Sequence, residues 1–450
     1  MLLEILIISV VVLFIVFFFA LGKEWYAPYT LFMLPFIGML VVALINKANW
    51  GLQFELTTFF VLFVGILFFL MGCWVAKFVR IQTLVHLKPL VMLQPSRRSI
   101  NNNKLFIVDI LMLIFFLIYF NKIYTYGVEN EMSFTEAINY IMMLAKFEPD
   151  KTTITIPFIL QIFLQINYLA AYLYSFFIAR RIIYKDRSNL ALLLFGYILS
   201  MATCFLNGSR GPLVENVIAL VLAFAITWHQ RYGMKMFPRR ILLGIVVLLA
   251  IAVIGFFAML PLLGRQSTAE SFWDSITEYI GSQAYNLNYF IQTKDSRSTF
   301  FAANTFSSLY NDLETLGITI GHTAGKIKTF FVIANGHEMG NVFTCFFSFY
   351  VDFGITGVAI FSYLIGWISQ RIYEKIKLRS SIVDFALVIY IYIGVNLMFC
   401  FFGNRFYDNV FQIKSLLKFI WLYLIFWFVS DSNIAAPFQT DGILTLQGII

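Results

Sequence analysis

Residues 189–229 read NLALLLFGYILSMATCFL-NGSRGP-LVENVIALVLAFAITWH. Two apolar runs, 189–206 and 213–229, flank a six-residue turn that carries a single arginine, Arg210. Each run is close to the roughly 20 residues that cross a hydrocarbon core. The chain therefore crosses a membrane twice here, and the turn lies at one of its surfaces. The same reading extends outward in both directions. Eleven such runs occur, at 2–21, 31–46, 57–76, 105–120, 157–179, 189–206, 213–229, 241–260, 345–370, 382–402 and 410–429. They predict an all-α, polytopic integral membrane protein with about 11 (10–12) transmembrane helices. A barrel would instead show alternating segments of about ten residues.

Composition agrees. Of the 450 residues, 60% are hydrophobic and 12% charged, against about a quarter charged in soluble domains. The net charge of +8 is not a nucleic-acid footprint, because the basic residues sit in short loops between spans. Loops 77–104, 180–188, 229–240 and 371–379 together hold 18 Lys and Arg against two acids, Asp186 and Glu374. Segments 121–156 (three basic, five acidic) and 261–342 (five basic, seven acidic) lack this excess. By the positive-inside bias the four basic loops face the cytoplasm and the two long segments face outward. Residues 1–430 form one membrane domain, with 121–156 and 261–342 as outer loops and 431–450 as a tail. The first span lacks a basic flank and a cleavage site, so it is retained. Cys73, Cys204, Cys345 and Cys400 lie in or beside apolar runs and read as small core residues.

The outer segments carry helix signals. Ser133-Phe134-Thr135-Glu136 and Ser267-Thr268-Ala269-Glu270 have capping-box spacing. Phe272, Trp273, Ile276, Tyr279 and Ile280 then recur at helical intervals, predicting a short amphipathic helix on the membrane or over a cavity mouth. A third helix is expected over 306–316, ending at Gly317. Segment 261–342 is thus read as a helical cap.

The turn Asn207-Gly208-Ser209-Arg210-Gly211-Pro212 falls on the outer side. Pro212 suits the first position of a helix. The N–H groups of Leu213, Val214 and Glu215 would then form an open, anion-favouring helix end. Arg210 adds a planar fork suited to phosphate. Two roles fit Arg210: an anion grip, or a headgroup contact or ion pair with Glu215. Three other outer arginines, Arg265, Arg297 and Arg405, join it as candidates for an anionic lipid-linked substrate. Lys414, inside the last span, is within reach of the same side. Asn341 and Tyr350 open the segments Asn341-Val-Phe-Thr344 and Tyr350-Val-Asp352-Phe-Gly354-Ile-Thr-Gly357. Asp352 either accepts a proton or forms a structural salt bridge; Gly354 and Gly357 allow a kink or close packing. His337 and Glu338 are a second candidate base, or plain loop residues. Tyr285, Asn286, Asn288 and Tyr289 suit either a sugar-binding surface or an ordinary helix face. No zinc spacing, Walker motif or Gly-x-Ser-x-Gly occurs.

The segments Asn207-Gly-Ser-Arg210-Gly-Pro-Leu213, Gly264-Arg265, Asn341-Val-Phe-Thr344 and Tyr350 to Gly357, with one large outer loop in the second half, resemble the bacterial O-antigen and oligosaccharide repeat-unit polymerases (Wzy-type). The resemblance implies a fold like the class C glycosyltransferases, seated in the bacterial inner membrane with a periplasmic active site. It implies transfer of a growing glycan from undecaprenyl pyrophosphate to the non-reducing end of a new lipid-linked repeat unit, without a metal or other cofactor. Arg210 and Arg265, with Arg405, would hold pyrophosphate, and Ser209, Arg297, Asn341, Tyr350 and Lys414 complete the substrate-binding set. Asp352, His337 and Glu338 are the candidate bases. Membrane lipids and a chain-length regulator are the implied partners. An O-antigen ligase and a lipid-linked oligosaccharide flippase are the alternative expectations.

Overall fold

The computed structural model describes the chain apart from residues 86–98, 148–156, 187, 209, 234–236, 263–270, 379–383 and 432–450. Ser209, Arg265, the box at 267–270 and nearly all of the expected tail lie outside the described residues. Fourteen α-helices follow in order among those described. α1 (Leu2–Ala20), α2 (Pro28–Ile45), α3 (Leu56–Val85) and α4 (Asn102–Glu129) come first, with a two-residue strand β1 (Ser99–Ile100) before α4. Next are α5 (Phe134–Phe147), α6 (Phe158–Ile183), α7 (Leu190–Leu206), α8 (Gly211–Tyr232) and α9 (Arg239–Leu262). The cap holds α10 (Phe272–Thr293), α11 (Ser307–Thr315) and a hairpin of β2 (Val332–Ala334) and β3 (His337–Gly340). α12 (Cys345–Leu378), α13 (Asp384–Met398), α14 (Ile413–Val429) and β4 (Ser430–Asp431) complete the chain.

Eight of these helices, α1, α2, α3, α4, α6, α8, α9 and α12, are long and apolar enough to cross a membrane. The other three apolar runs of the sequence form the shorter helices α7, α13 and α14, of 17, 15 and 17 residues. The chain is therefore a polytopic, multi-pass helical membrane protein. Ile, Leu, Val and Phe side chains on α1, α4, α9 and α14 point outward uncovered, as lipid-facing surfaces do. Where helices meet, small residues let backbones approach, because lipid is as apolar as Leu and supplies no hydrophobic drive. A methyl group at Gly72 of α3 would overlap the backbone at Tyr363 of α12, and one at Gly366 would overlap the backbone at Phe69.

The loops separate into two faces. On one, Tyr373 at the end of α12 donates to Glu24 in the α1–α2 loop (2.6 Å), and Arg231 at the end of α8 donates to the Ile183 carbonyl. β1 pairs with β4 there, joining the start of α4 to the end of α14. This is the face of the basic loops. The opposite, cap face carries the hairpin, whose Asn335 donates to the Asn49 carbonyl in the α2–α3 loop (3.2 Å). Lys47 in that loop pairs with Glu4 at 2.9 Å. The N-terminus thus lies on the cap face, the side the loop count assigns it.

α12 departs from expectation. Residues 345–370 read as one span, but Gly354 has φ 66° and ψ −156°, and the helix does not continue through it. Residues twelve apart in an unbroken helix are separated by about 18 Å along its axis. The rings of Phe349 and Phe361 are 5.5 Å apart, and a Cβ on Gly357 would lie 2.6 Å from the Phe349 carbonyl oxygen. The chain reverses at Gly354. Limb 345–353 starts deep, where Phe346 packs on Phe36 at the middle of α2 (5.1 Å) and fills the space left by Gly65. It rises to the cap face, and limb 355–378 descends from there. The ninth span therefore begins ten residues later than the hydropathy suggests.

The outer segments contain two of the predicted helices much as read. α5 starts with the reciprocal capping box: Glu136 N–H donates to Ser133 Oγ (3.3 Å) and Ser133 N–H to the Glu136 carboxylate (2.8 Å). α11 ends in a Schellman turn, with Gly317 at φ 87° and Ile318 N–H donating to the Leu313 carbonyl (3.0 Å). α10 differs from the short surface helix expected. It has 22 residues, Ser271 caps it through Asp274 N–H (3.1 Å), and from Thr277 onward it is largely buried, with Gly281 against Val42 of α2 and Trp50.

Candidate functional site

The turn after α7 is shaped by its glycines. Gly208 has φ 64°, and a Cβ there would lie 2.9 Å from Met142 Cβ, so only glycine lets α5 close over the turn. α8 begins at Gly211 with Arg210 as its N-cap, which puts Pro212 second rather than first. Leu213 N–H closes onto the Arg210 carbonyl (3.1 Å), so of the three donors expected to be open this one is engaged. The helix end is a weaker anion site than the sequence suggested. The charge at the turn comes from the Arg210 guanidinium, which rests 4.5 Å from the centre of the Phe256 ring.

Phe256 starts an aromatic row. It packs edge-on against Tyr279 of α10 (4.8 Å), Tyr279 against Phe402 (4.9 Å), and Phe402 lies 5.9 Å from the Arg405 guanidinium. Arg210 and Arg405, 195 residues apart, therefore stand at the two ends of one row. Glu215, on the second turn of α8, joins them from below. Its Oε2 accepts from the Tyr168 hydroxyl (3.0 Å) and its Oε1 lies 3.5 Å from Arg405 Nη1. Glu215 is paired with Arg405, whereas the sequence offered it as a partner for Arg210. The Glu215 side chain is 6% exposed and that of Arg405 30%, so the carboxylate is held under a cation that reaches the surface.

A second cluster sits at the α12 reversal. Asp352 accepts from Asn304 N–H (3.1 Å) and Thr305 N–H (2.6 Å) and from the Asn304 side chain (3.2 Å). Its carboxylate clamps the cap to α12, in place of the salt bridge to an outer arginine that the sequence offered. Arg297 donates to the Tyr350 carbonyl (2.8 Å), lies over the Tyr350 ring (3.9 Å) and pairs with Asp295 (3.6 Å). Tyr350 donates its hydroxyl to the same Asp295 (2.8 Å). Lys414 forms an ion pair with Asp312 of α11 (3.0 Å). Asn341 is exposed at the end of the hairpin.

His337 is in β3, held by an Asn335-Gly336 turn with φ 48° and 84°. Its Nδ1 bonds Glu278 of α10 (2.8 Å), while its neighbour Glu338 is exposed. Burial raises the Glu278 carboxyl above the usual glutamate range, and the His337 contact pulls it partly back. Asp408, on the Arg405 turn, accepts from Ser308 (3.0 Å), and burial pushes its carboxyl up to about 6. Asn286 and Asn288 tie α10 to the hairpin and to the α2–α3 loop, so their amides serve packing.

The structure thus puts Arg210 and Arg405 at the two ends of one aromatic row and Arg297, Tyr350 and Asp352 in a separate cluster, with Lys414 and His337 each in a separate pair. Tyr168, Glu278 and Asp408 were not singled out from sequence, and the Glu215 side chain was named there only as a partner for Arg210. Of these, Glu215 carried a signal: an acid within an apolar span is normally paired or functional. Among the described residues no group of three or more His, Cys, Asp or Glu side chains gathers around a point that a metal ion would fill. Comparison with family models, with curated proteins and with solved structures returns no match.

Proposed function

We propose that the chain is a membrane glycosyltransferase that polymerises oligosaccharide repeat units carried on undecaprenyl pyrophosphate. In this proposal all eleven apolar runs cross a bacterial inner membrane and the cap face is periplasmic. The observation that carries it is the pair Arg210 and Arg405 at the ends of the Phe256–Tyr279–Phe402 row. Two guanidinium groups at a membrane surface suit the oxygens of a lipid-linked pyrophosphate. Aromatic faces between them suit the apolar faces of sugar rings. In the transfer the C1–O bond to pyrophosphate breaks, and the arginines stabilise the charge that develops on the leaving group. Holding two long lipid-linked substrates side by side supplies a further share of the rate. Arginine charge on the pyrophosphate lets the reaction proceed without a metal.

The test is reconstitution of the protein with an undecaprenyl-pyrophosphate-linked repeat unit as donor and acceptor. The wild type extends it into a ladder, and Arg210→Ala or Arg405→Ala loses extension by about 10²-fold, the usual effect of removing one group that stabilises an oxyanion. A full ladder from both variants refutes the arginine assignment. One feature favours a second reading, a transporter for the same lipid-linked glycans: the limb 345–353 starts mid-membrane, as broken helices do in secondary transporters. Movement of the lipid-linked unit across vesicles with no extension would select that alternative. Attachment of preformed chains to a lipid A core, again with no extension, would select a ligase.

A further inference from the structure

The two arginines account for the leaving group and leave the acceptor's proton without a destination. Asp352 is saturated by the N–H groups it clamps, and His337 is turned onto Glu278. We propose that Glu215 is the catalytic base, taking the proton of the acceptor hydroxyl, with Arg405 as its positioning partner. The inference rests on the polymerase function proposed above.

The geometry around its two oxygens differs. Oε2 is fixed by the Tyr168 hydroxyl at 3.0 Å. Oε1 has Arg405 Nη1 at 3.5 Å, longer than the 2.7–2.9 Å typical of a charge-assisted hydrogen bond, so it is attracted but not closed off. Oε1 also points up toward the arginine turn. A Cβ placed on Gly211 would lie 4.0 Å from Oε1, so the absence of a side chain there leaves this oxygen facing the backbone of the turn. The hydroxyl of Tyr172, four residues after Tyr168 on α6, and the amide oxygen of Asn216, next to Glu215 in the chain, are buried and have no hydrogen-bond partner among the described residues. Such groups carry a desolvation cost that a purely packed interior would avoid, so the residues beside Glu215 and Tyr168 are more polar than packing alone requires.

The step balances. The acceptor oxygen forms its bond to C1 as the C1–O bond to pyrophosphate breaks. The bonding pair leaves with the pyrophosphate, and the acceptor's O–H proton passes to Glu215 Oε1. Arg405 faces both the carboxylate and the position of the leaving group, so phosphate arriving at Arg405 draws the guanidinium off Oε1 and uncovers it.

The experiment uses the full chain in nanodiscs with the undecaprenyl-pyrophosphate-linked repeat unit. Glu215→Gln is expected to bind this donor within about threefold of wild type while turnover falls about 10²-fold or more, the range for loss of a general base. Glu215→Ala is expected to regain at least about tenfold of its lost turnover in added formate, which replaces the missing carboxylate. Glu215→Asp keeps the charge beside Arg405, and so the fold. It is expected to lose about tenfold in turnover, because its carboxylate is withdrawn by one methylene from a geometry in which about 1 Å matters. Turnover of Glu215→Gln within fivefold of wild type overturns the proposal, as does full turnover by Glu215→Asp. So does loss of donor binding in Glu215→Gln with no formate rescue of Glu215→Ala, which would make the carboxylate only a prop for Arg405. Formate rescue of Asp408→Ala but not of Glu215→Ala would move the role to Asp408 and overturn it too. These results leave the polymerase function standing, whereas a wild-type protein that extends nothing overturns both.

Discussion

Replacing Asp352 separates a catalytic carboxylate from a structural one. Its oxygens accept two backbone N–H groups, from Asn304 and Thr305, and one side-chain amide. Asn304 is 4% exposed and Thr305 is fully buried, so water does not replace the lost acceptor. A hydrogen bond to a charged group contributes about 1.5–3 kcal/mol, and a stranded buried N–H costs about 1–3 kcal/mol. Since neighbouring effects do not add fully, Asp352→Ala is expected to weaken the clamp by about 3 kcal/mol, roughly a hundredfold in the local opening equilibrium. Asp352→Asn retains acceptor capacity and is expected to weaken it about tenfold, near 1.4 kcal/mol. Hydrogen exchange of the amides at 304 and 305, in nanodiscs, reads the effect directly. The exchange should rise in that order, Asn then Ala, while amides in α6 and α8 stay unchanged. If the amides at 304 and 305 exchange as in wild type while glycan transfer is abolished, Asp352 acts in chemistry and the clamp argument fails.

Three further outcomes follow from the geometry. Gly354→Ala places a side chain at φ 66°, ψ −156°, a region nearly restricted to glycine, and should lower stability by about 1–3 kcal/mol, seen as an earlier thermal transition in detergent; an unchanged transition would mean the reversal tolerates a Cβ. The Ser133 side chain, and after it the Ser133 N–H, hold Glu136 below its ordinary value of 4.5, so the capping box stabilises α5 above that pH and the contribution is lost as pH falls through the lower, folded-state value. Faster amide exchange at the start of α5 below pH 4.5, absent in Ser133→Ala, checks the sign. Single cysteines at Lys47 and Asn335 and an N-terminal tag should be reached by an impermeant reagent from one side, and a cysteine at Lys185 only from the other; any exception breaks the two-face topology.

What the sequence made legible is local. Span positions follow from run length, so α6 and α8 fall within a few residues of their predicted limits. The α5 box and the Gly317 turn depend on residues three to five apart, and both appear. The reversal at Gly354 was legible only as a possible kink, because its direction is set by Phe349 meeting Phe361 and by Phe346 meeting α2 and α3. The β2–β3 hairpin was missed although Asn335-Gly336 is a strong hairpin signal, and with it the contact of His337 to Glu278. The Glu215–Arg405 pair joins residues 190 positions apart, and nothing in either local sequence names the other. Candidate residues could be ranked by type and side of the membrane, but their grouping is a tertiary fact.

The reversal in α12 also bears on how the chain is assembled. A limb that starts mid-membrane and ends on the cap face is too short to be threaded across as a span. Backbone that starts at depth is tolerated only where protein covers it, and residues 343–347 are buried. The limb can settle only against a wall that already exists, and its wall is Phe36 of α2 and the notch at Gly65 of α3, both synthesised long before it. The limb's place therefore depends on α2 and α3, which form the slot that Phe346 fills. A fill-in at that slot, Gly65→Leu, would overlap the Phe346 ring and is expected to loosen the limb and the cap it carries, read as faster proteolysis there.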